Sequence, residues 1–437
     1  MKTFLHIGMP KTGSTALQET LLASHDELLR RGVLYPRVPD PTFNNHRLLL
    51  VGTTPLEKLP RHIRRNYDEA DLEGRKADFL RAVRADQRQH APQAMVLSSE
   101  SLFRNFSDAG KKVLMAGLHK IGADPGQTTV VAYVRRPADR YLSGLQQHLK
   151  ASWKITPPEP AHYRNNLEQY ERMFGNDSLT VVPFRREALI GADIVTDFLT
   201  RFLQPWGVER DRMAPVGAVN ETLSSEGVDI QRAYREAFHY VDDDRHTPDS
   251  LQLFKALQDI DAELGMTRPR LVDSIADLVD YASTDPLWMR DRFGVEFPDF
   301  DYARLERGDL TRAPDRAWRL DELMQIDRER QARVLARLAV HPWVAADPAR
   351  LRWLLALRAD LPPIAQPSVP LQPPAPLATP SHTPVIEDRT KTMTDKKKAP
   401  KAKPDAAERG VTAAVAKALW KAEQKAANPA VSAEALK

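Results

Sequence analysis

Four short apolar runs punctuate an otherwise amphipathic chain: Phe4–Ile7, Ala94–Leu97, Thr128–Val134 and Leu179–Phe184. Each is too short for a buried helix, and Thr128–Val134 is rich in β-branched residues, so all four predict strands. Between them the apolar spacing changes to that of a helix. Leu17, Leu21, Leu22, Leu28 and Leu29 predict a helix over Thr15–Arg31, stopped at Gly32. Further helices are predicted over 68–90, over 108–121, from Pro137 to about Lys150, and over Asp193–Leu203, with Pro137 suited to a first helical turn. Continuous apolar strands alternating with helices predict an α/β fold, a three-layer parallel sheet flanked by helices. Beyond residue 206 the strand signal ends, and 223–358 reads as helices and loops. The predicted organisation is an α/β core over 1–205 and a helical part over 206–360 that completes the same domain and shapes an acceptor cleft.

Composition adds a third region. Residues 361–386 hold nine prolines, and Lys396–Pro404 reads KKKAPKAKP. This predicts a disordered proline- and lysine-rich linker over 361–404. An alanine- and lysine-rich tail over 405–437 is able to form one short helix. The formal charge is +4, but residues from 361 onward carry +5 and the first 360 carry −1. The basic excess therefore belongs to the tail, a candidate binder of an anionic partner, and not to the body. The 437 residues include no cysteine, which excludes disulfides, thiolate metal sites and a cysteine nucleophile. No apolar run approaches the roughly 18 residues that span a bilayer. The N-terminal run leads straight into a glycine loop instead of a cleavage site, so a cytoplasmic setting is expected.

That loop, Gly8-Met9-Pro10-Lys11-Thr12-Gly13-Ser14-Thr15, joins the first strand to the first helix. Its backbone amides and the helix N-terminus can converge on an oxyanion, and Ser14 and Thr15 are placed either to cap the helix or to donate to a phosphate oxygen. A nucleotide-hydrolysing P-loop would read GxxxxGK[ST], and here Ser14 occupies the lysine position. Lys11 is the loop's one lysine. The second cationic element, Arg135-Arg136-Pro137-Ala138-Asp139-Arg140-Tyr141-Leu142-Ser143, follows the third predicted strand. In a parallel sheet both loops open on the carboxyl edge, where ligands bind. One can hold one phosphate and the forked guanidinium of Arg135 another. Read singly, Arg135 and Arg136 also fit a solvated strand end.

Together the two elements resemble sulfotransferases that use 3′-phosphoadenosine-5′-phosphosulfate (PAPS). The loop is similar to their PKxGxT segment, and Arg135 and Ser143 have the spacing of their 3′-phosphate arginine and serine. The resemblance is direct over 4–15 and 130–148 and looser to about residue 300. It includes Ser98-Ser99-Glu100, Phe174-Gly175, Val182-Pro183-Phe184 and Asn220–Ser224. The RKGxxGDW motif of cytosolic members is missing, which favours the bacterial or carbohydrate-type branch. The resemblance implies a P-loop-like core and transfer of a sulfuryl group to a hydroxyl on a glycan or small molecule. It also implies binding of PAPS by Pro10, Lys11, Thr12, Gly13, Ser14, Thr15, Arg135 and Ser143, with Lys11 catalytic. Glu100, after the second predicted strand, is the first candidate base, and also fits a carboxylate at a helix N-terminus. His46 is the second candidate base, a neutral imidazole at pH 7. His6 fits a buried, hydrogen-bonded residue, and Ser224 fits a helix cap. The histidines show no metal spacing, so no metal is expected. Two other readings stay open: a P-loop-type nucleotide or small-molecule kinase, and a non-enzymatic nucleotide-binding protein whose basic tail binds nucleic acid or a partner.

Overall fold

Strand β1 (Lys2–Gly8) forms the centre of a five-stranded, all-parallel sheet, flanked by β3 (Ala94–Ser98) on one side and β4 (Thr128–Val134) on the other. The computed structural model describes residues 1–39, 45–59, 67–215, 222–241, 243–359 and 361. β2 (Val33–Leu34) pairs with β3 at one edge and β5 (Leu179–Pro183) with β4 at the other, giving the order β2-β3-β1-β4-β5. The fifth strand, β2, has only two residues, too few to leave a readable alternation.

Helices cover both faces. The first are α1 (Ser14–Ala23), α2 (His25–Arg30), α3 (Glu69–His90), α4 (Asp108–Lys120), α5 (Pro137–Leu149), α6 (Tyr163–Phe174) and α7 (Ile194–Phe198). The helix expected over Thr15–Arg31 is broken at Ser24. The Ser24 hydroxyl accepts a 2.9 Å hydrogen bond from Ala214 N. Similarly, α7 runs into a π turn at Leu199–Leu203. Alternate residues of each strand serve opposite layers. Phe4, Val131, Tyr133 and Val182 pack with Leu17, Leu21 and Leu28 of α1 and α2 and Phe198 of α7. Leu5, Ile7, Val130 and Ala132 pack with Phe79 of α3, Leu118 of α4 and Leu167 of α6. Burial on both faces explains why the strands read as unbroken apolar runs.

The helical part comprises α8 (Ser225–Phe238), α9 (Pro248–Glu263), α10 (Asp273–Asp280), α11 (Asp285–Phe293), α12 (Arg328–Ala339) and α13 (Pro348–Ala359), with short turns between them. Its core is built directly on α5: Ala138, Tyr141, Leu145 and Leu149 pack with Tyr234, Leu257, Val279 and Leu335. Ser224 caps α8, its hydroxyl accepting from Gly227 N at 3.0 Å, and is itself held by Asp261. Asn220, Glu221 and the tail from 362 onward lie outside the described residues. Among those described, no helix is long and apolar enough to cross a membrane.

The strand order marks the switch point of the sheet. After β1 the chain moves toward β2, and after β4 it moves the opposite way, toward β5. Connections that diverge from neighbouring parallel strands leave an opening at their carboxyl ends. Here the connections diverge between the loop after β1 and the segment after β4.

Candidate functional site

The loop after β1 is shaped by three left-handed residues, Gly8 (φ 72°), Lys11 (φ 68°) and Gly13 (φ 76°). At Gly8 the demand is also steric. A Cβ there would lie 2.7 Å from Glu100 Cβ and 2.8 Å from its Cα, so only glycine lets the strand end pass Glu100. Thr12 closes the turn: its backbone N–H donates to Met9 O at 3.3 Å and its hydroxyl at 2.6 Å. That hydroxyl is thus committed to loop shape, while Pro10 and Thr15 are exposed.

Gly13 occupies the cap position of α1 and brings no side chain to satisfy the helix's first amides. Ser14, next in sequence, has a buried hydroxyl with no hydrogen-bond partner among the described residues. Buried hydroxyls are normally satisfied. An unsatisfied one, at an uncapped helix N-terminus, is the arrangement an anion would complete.

Lys11 links the loop to α5. Its Nζ lies 3.3 Å from Gln147 Oε1, on α5. Gln147 is one helical turn after Ser143, so the two share a helix face. Ser143 is half-buried within α5, and its hydroxyl makes no hydrogen bond among the described residues. Arg135, between β4 and α5, has its guanidinium 4.9 Å from the centre of the Phe184 ring. Its Nε is buried without a partner, and it pairs with no carboxylate among the described residues. Burial lowers its pKa, against the opposing pull of Asp139, but an arginine remains charged. Phe184 also borders the loop, since a Cβ on Gly13 would lie 3.3 Å from its ring. The loop and Arg135 therefore share a wall. Arg136 is different, because its Nε donates to the buried Asp280 at 2.7 Å.

Glu100 begins the turn after β3, against Gly8. Its carboxylate accepts from Gln18 of α1 at 3.0 Å, from Asn45 at 3.3 Å and from Arg47 at 3.2 Å. Gln18 also donates to Ser98 Oγ at 3.0 Å, which lies 2.8 Å from His6 Nδ1. His6 is fully buried, and burial lowers its pKa to about 4 despite Glu100.

His46 does not share this position. It is fully buried, with Nδ1 accepting from Ser98 N at 2.8 Å. That contact fixes the proton on Nε2, which donates to Pro36 O at 2.8 Å. With both nitrogens occupied and its pKa lowered to about 4 by burial, His46 ties three segments together and offers no lone pair to an acceptor. Of the two candidate bases, only Glu100 abuts the loop.

Gln147, Gln18 and Arg47 are site neighbours that sequence reasoning misses, whereas Phe184 was singled out only as a strand residue. Gln147 alone carried a signal, as the residue one turn beyond Ser143. Among the described residues, no group of three or more His, Asp or Glu is placed to hold a metal ion. In comparisons with known proteins, no family model, no curated protein and no solved structure matches the chain.

Proposed function

We propose that the chain is a sulfotransferase that moves a sulfuryl group from PAPS to an acceptor hydroxyl, on a glycan or small molecule. The observation that carries the reading is the Lys11–Gln147 contact. It joins a loop with an unsatisfied Ser14 hydroxyl to the helix bearing Ser143, beside an Arg135 that lacks a carboxylate partner. Two anion-seeking clusters on one sheet edge suit a ligand with two separated phosphates. The order β2-β3-β1-β4-β5, with the loop after the central strand, suits a P-loop-like core. The absence of cysteine suits a reducing, cytoplasmic setting.

In this reading Lys11, Ser14 and the first amides of α1 hold the 5′ end of PAPS, and Arg135 and Ser143 hold its 3′-phosphate. When bound, PAPS supplies a sulfuryl group on a phosphate leaving group. Lys11 faces the oxygen on which charge grows, and the loop amides add fixed dipoles. Glu100, oriented by Gln18, Asn45 and Arg47, accepts the proton of the acceptor hydroxyl. A kinase would want a lysine where Ser14 stands.

The test is transfer of label from sulfur-labelled PAPS to a panel of hydroxyl acceptors. Lys11→Ala is expected to abolish transfer, a loss of at least 100-fold on the scale of a removed charge stabiliser, and to keep its cooperative melt. A folded, fully active Lys11→Ala removes Lys11 from the mechanism. Phosphoryl transfer from ATP in place of sulfuryl transfer refutes the reading.

A further inference from the structure

Helix α5 begins without a local cap. Its N-cap residue is Arg136, whose side chain has no acceptor, and Pro137 follows. The acceptor comes instead from the last residue of α10. Asp280, whose side chain is wholly buried, accepts from Ala138 N at 2.9 Å through Oδ1 and from Arg136 Nε at 2.7 Å through Oδ2. The helical part of the chain thus caps, in trans, the helix that carries Ser143 and Gln147.

The same contact brackets Arg135. On its strand side, Val134 O accepts from Phe184 N at 2.7 Å, and the carbonyl of Arg135 itself accepts from Tyr163 OH at 2.6 Å. On its helix side, Asp280 fixes the next residue and the first turn. Asp280 also sorts two adjacent arginines: Arg136 is retained by a buried carboxylate, while the guanidinium of Arg135 stacks on the Phe184 ring and forms no ion pair among the described residues.

We propose that Asp280 is a positioning residue for the anion site: by capping α5 and retaining Arg136, it aims Arg135 and Ser143 at the second phosphate. The identity of that anion rests on the sulfotransferase reading; the positioning does not. Stability alone gives a poor account of Asp280. Burial raises its pKa to about 6 in spite of Arg136, so at neutral pH the fold carries its ionised form at a cost. The charged or titratable groups that act on it are Arg136, at the N-cap of α5, and Asp139 within α5, and it in turn acts on Tyr163 of α6.

The test is calorimetric binding of adenosine 3′,5′-bisphosphate, and separately of inorganic pyrophosphate, to the full chain and to Asp280→Asn. The account predicts that Asp280→Asn weakens bisphosphate binding by about tenfold or more, the scale of a lost charge-assisted hydrogen bond. The variant should keep a cooperative melt at pH 7.5, so that the weaker binding is read on a folded protein. It also predicts that affinity falls more steeply from pH 7.5 to 5.5 in the wild type than in the variant, the ligand's own titration being common to both. A purely electrostatic role has the opposite sign, since removing a negative charge should tighten anion binding. Unchanged or tighter binding overturns the proposal. Should Asp280→Asn not fold, Asp280→Glu applies the same test with the charge kept: weaker binding supports the proposal and unchanged binding overturns it. A wild type that binds pyrophosphate in an Asp280-dependent way, but not the bisphosphate, upholds the positioning role and refutes the sulfotransferase reading. Binding of neither refutes both.

Discussion

Ser14→Ala separates a hydroxyl that builds the loop from one that awaits a ligand. The Ser14 hydroxyl is buried and unpartnered, and an unsatisfied buried polar group costs about 1–3 kcal/mol. Deleting it should therefore leave the ligand-free protein as stable as before, or stabler by about 1 kcal/mol. When an anion is bound, the same hydroxyl would donate a charge-assisted hydrogen bond worth about 1.5–3 kcal/mol, so its loss should raise Kd about 10- to 150-fold. Thr12→Val is the internal contrast. It removes a hydroxyl already bonded to Met9 O at 2.6 Å, and should destabilise the ligand-free protein by about 1 kcal/mol. The assay is urea unfolding of each variant without ligand, then calorimetry with adenosine 3′,5′-bisphosphate. A Ser14→Ala protein that is clearly destabilised yet binds like the wild type refutes the reasoning.

Other consequences are equally direct. Gly8→Ala forces φ 72° on a residue with a Cβ and drives that Cβ to 2.7 Å from Glu100 Cβ; a loss of about 2–5 kcal/mol is expected in urea unfolding, and a loss under 0.5 kcal/mol would contradict the packing described. Acid should unfold the protein through His6 and His46. Their folded pKa values of about 4 lie below the ordinary imidazole value of 6.5, so their stabilisation is present above pH 6.5 and is lost as pH falls toward 4, by about 3 kcal/mol each. Asp280 works against them. Its pKa is raised from 3.8 to about 6, so it adds stability as pH falls from about 6 to 4. Wild-type stability should still decline between pH 6.5 and 4, and a flat profile would count against buried, neutral histidines.

Much of the core was legible because parallel strands buried on both faces become continuous apolar runs. Thr128–Val134 and Ala94–Leu97 were readable within a residue of their ends. Two residues of β2 carry no periodicity, and α6, whose buried positions include Tyr163, Leu167, Tyr170 and Phe174, is unassigned in the sequence reading. The latter pattern does follow helical spacing, but tyrosines make it ambiguous with strand. At the site, Lys11, Ser14, Arg135 and Ser143 stood out because glycine loops and strand-end arginines are local signals. What held them was not local. Gln18 and Arg47 are ordinary residues until the fold brings them to Glu100, and only the sheet order sets Phe184 beside Arg135. Asp280 is 142 residues from the amide it caps. His46 attracted attention for its chemistry, but its two hydrogen bonds, to Ser98 and Pro36, make it a structural residue.

The proposed sulfotransferase function requires a site that recognises two phosphates at once. Calorimetry comparing adenosine 3′,5′-bisphosphate with adenosine 5′-monophosphate and with ATP·Mg²⁺ measures this directly. The bisphosphate should bind at least tenfold more tightly than the monophosphate, a difference lost in Arg135→Ala, and ATP·Mg²⁺ should bind weakly. Tight binding of ATP·Mg²⁺ with no preference for the 3′-phosphate would contradict the account.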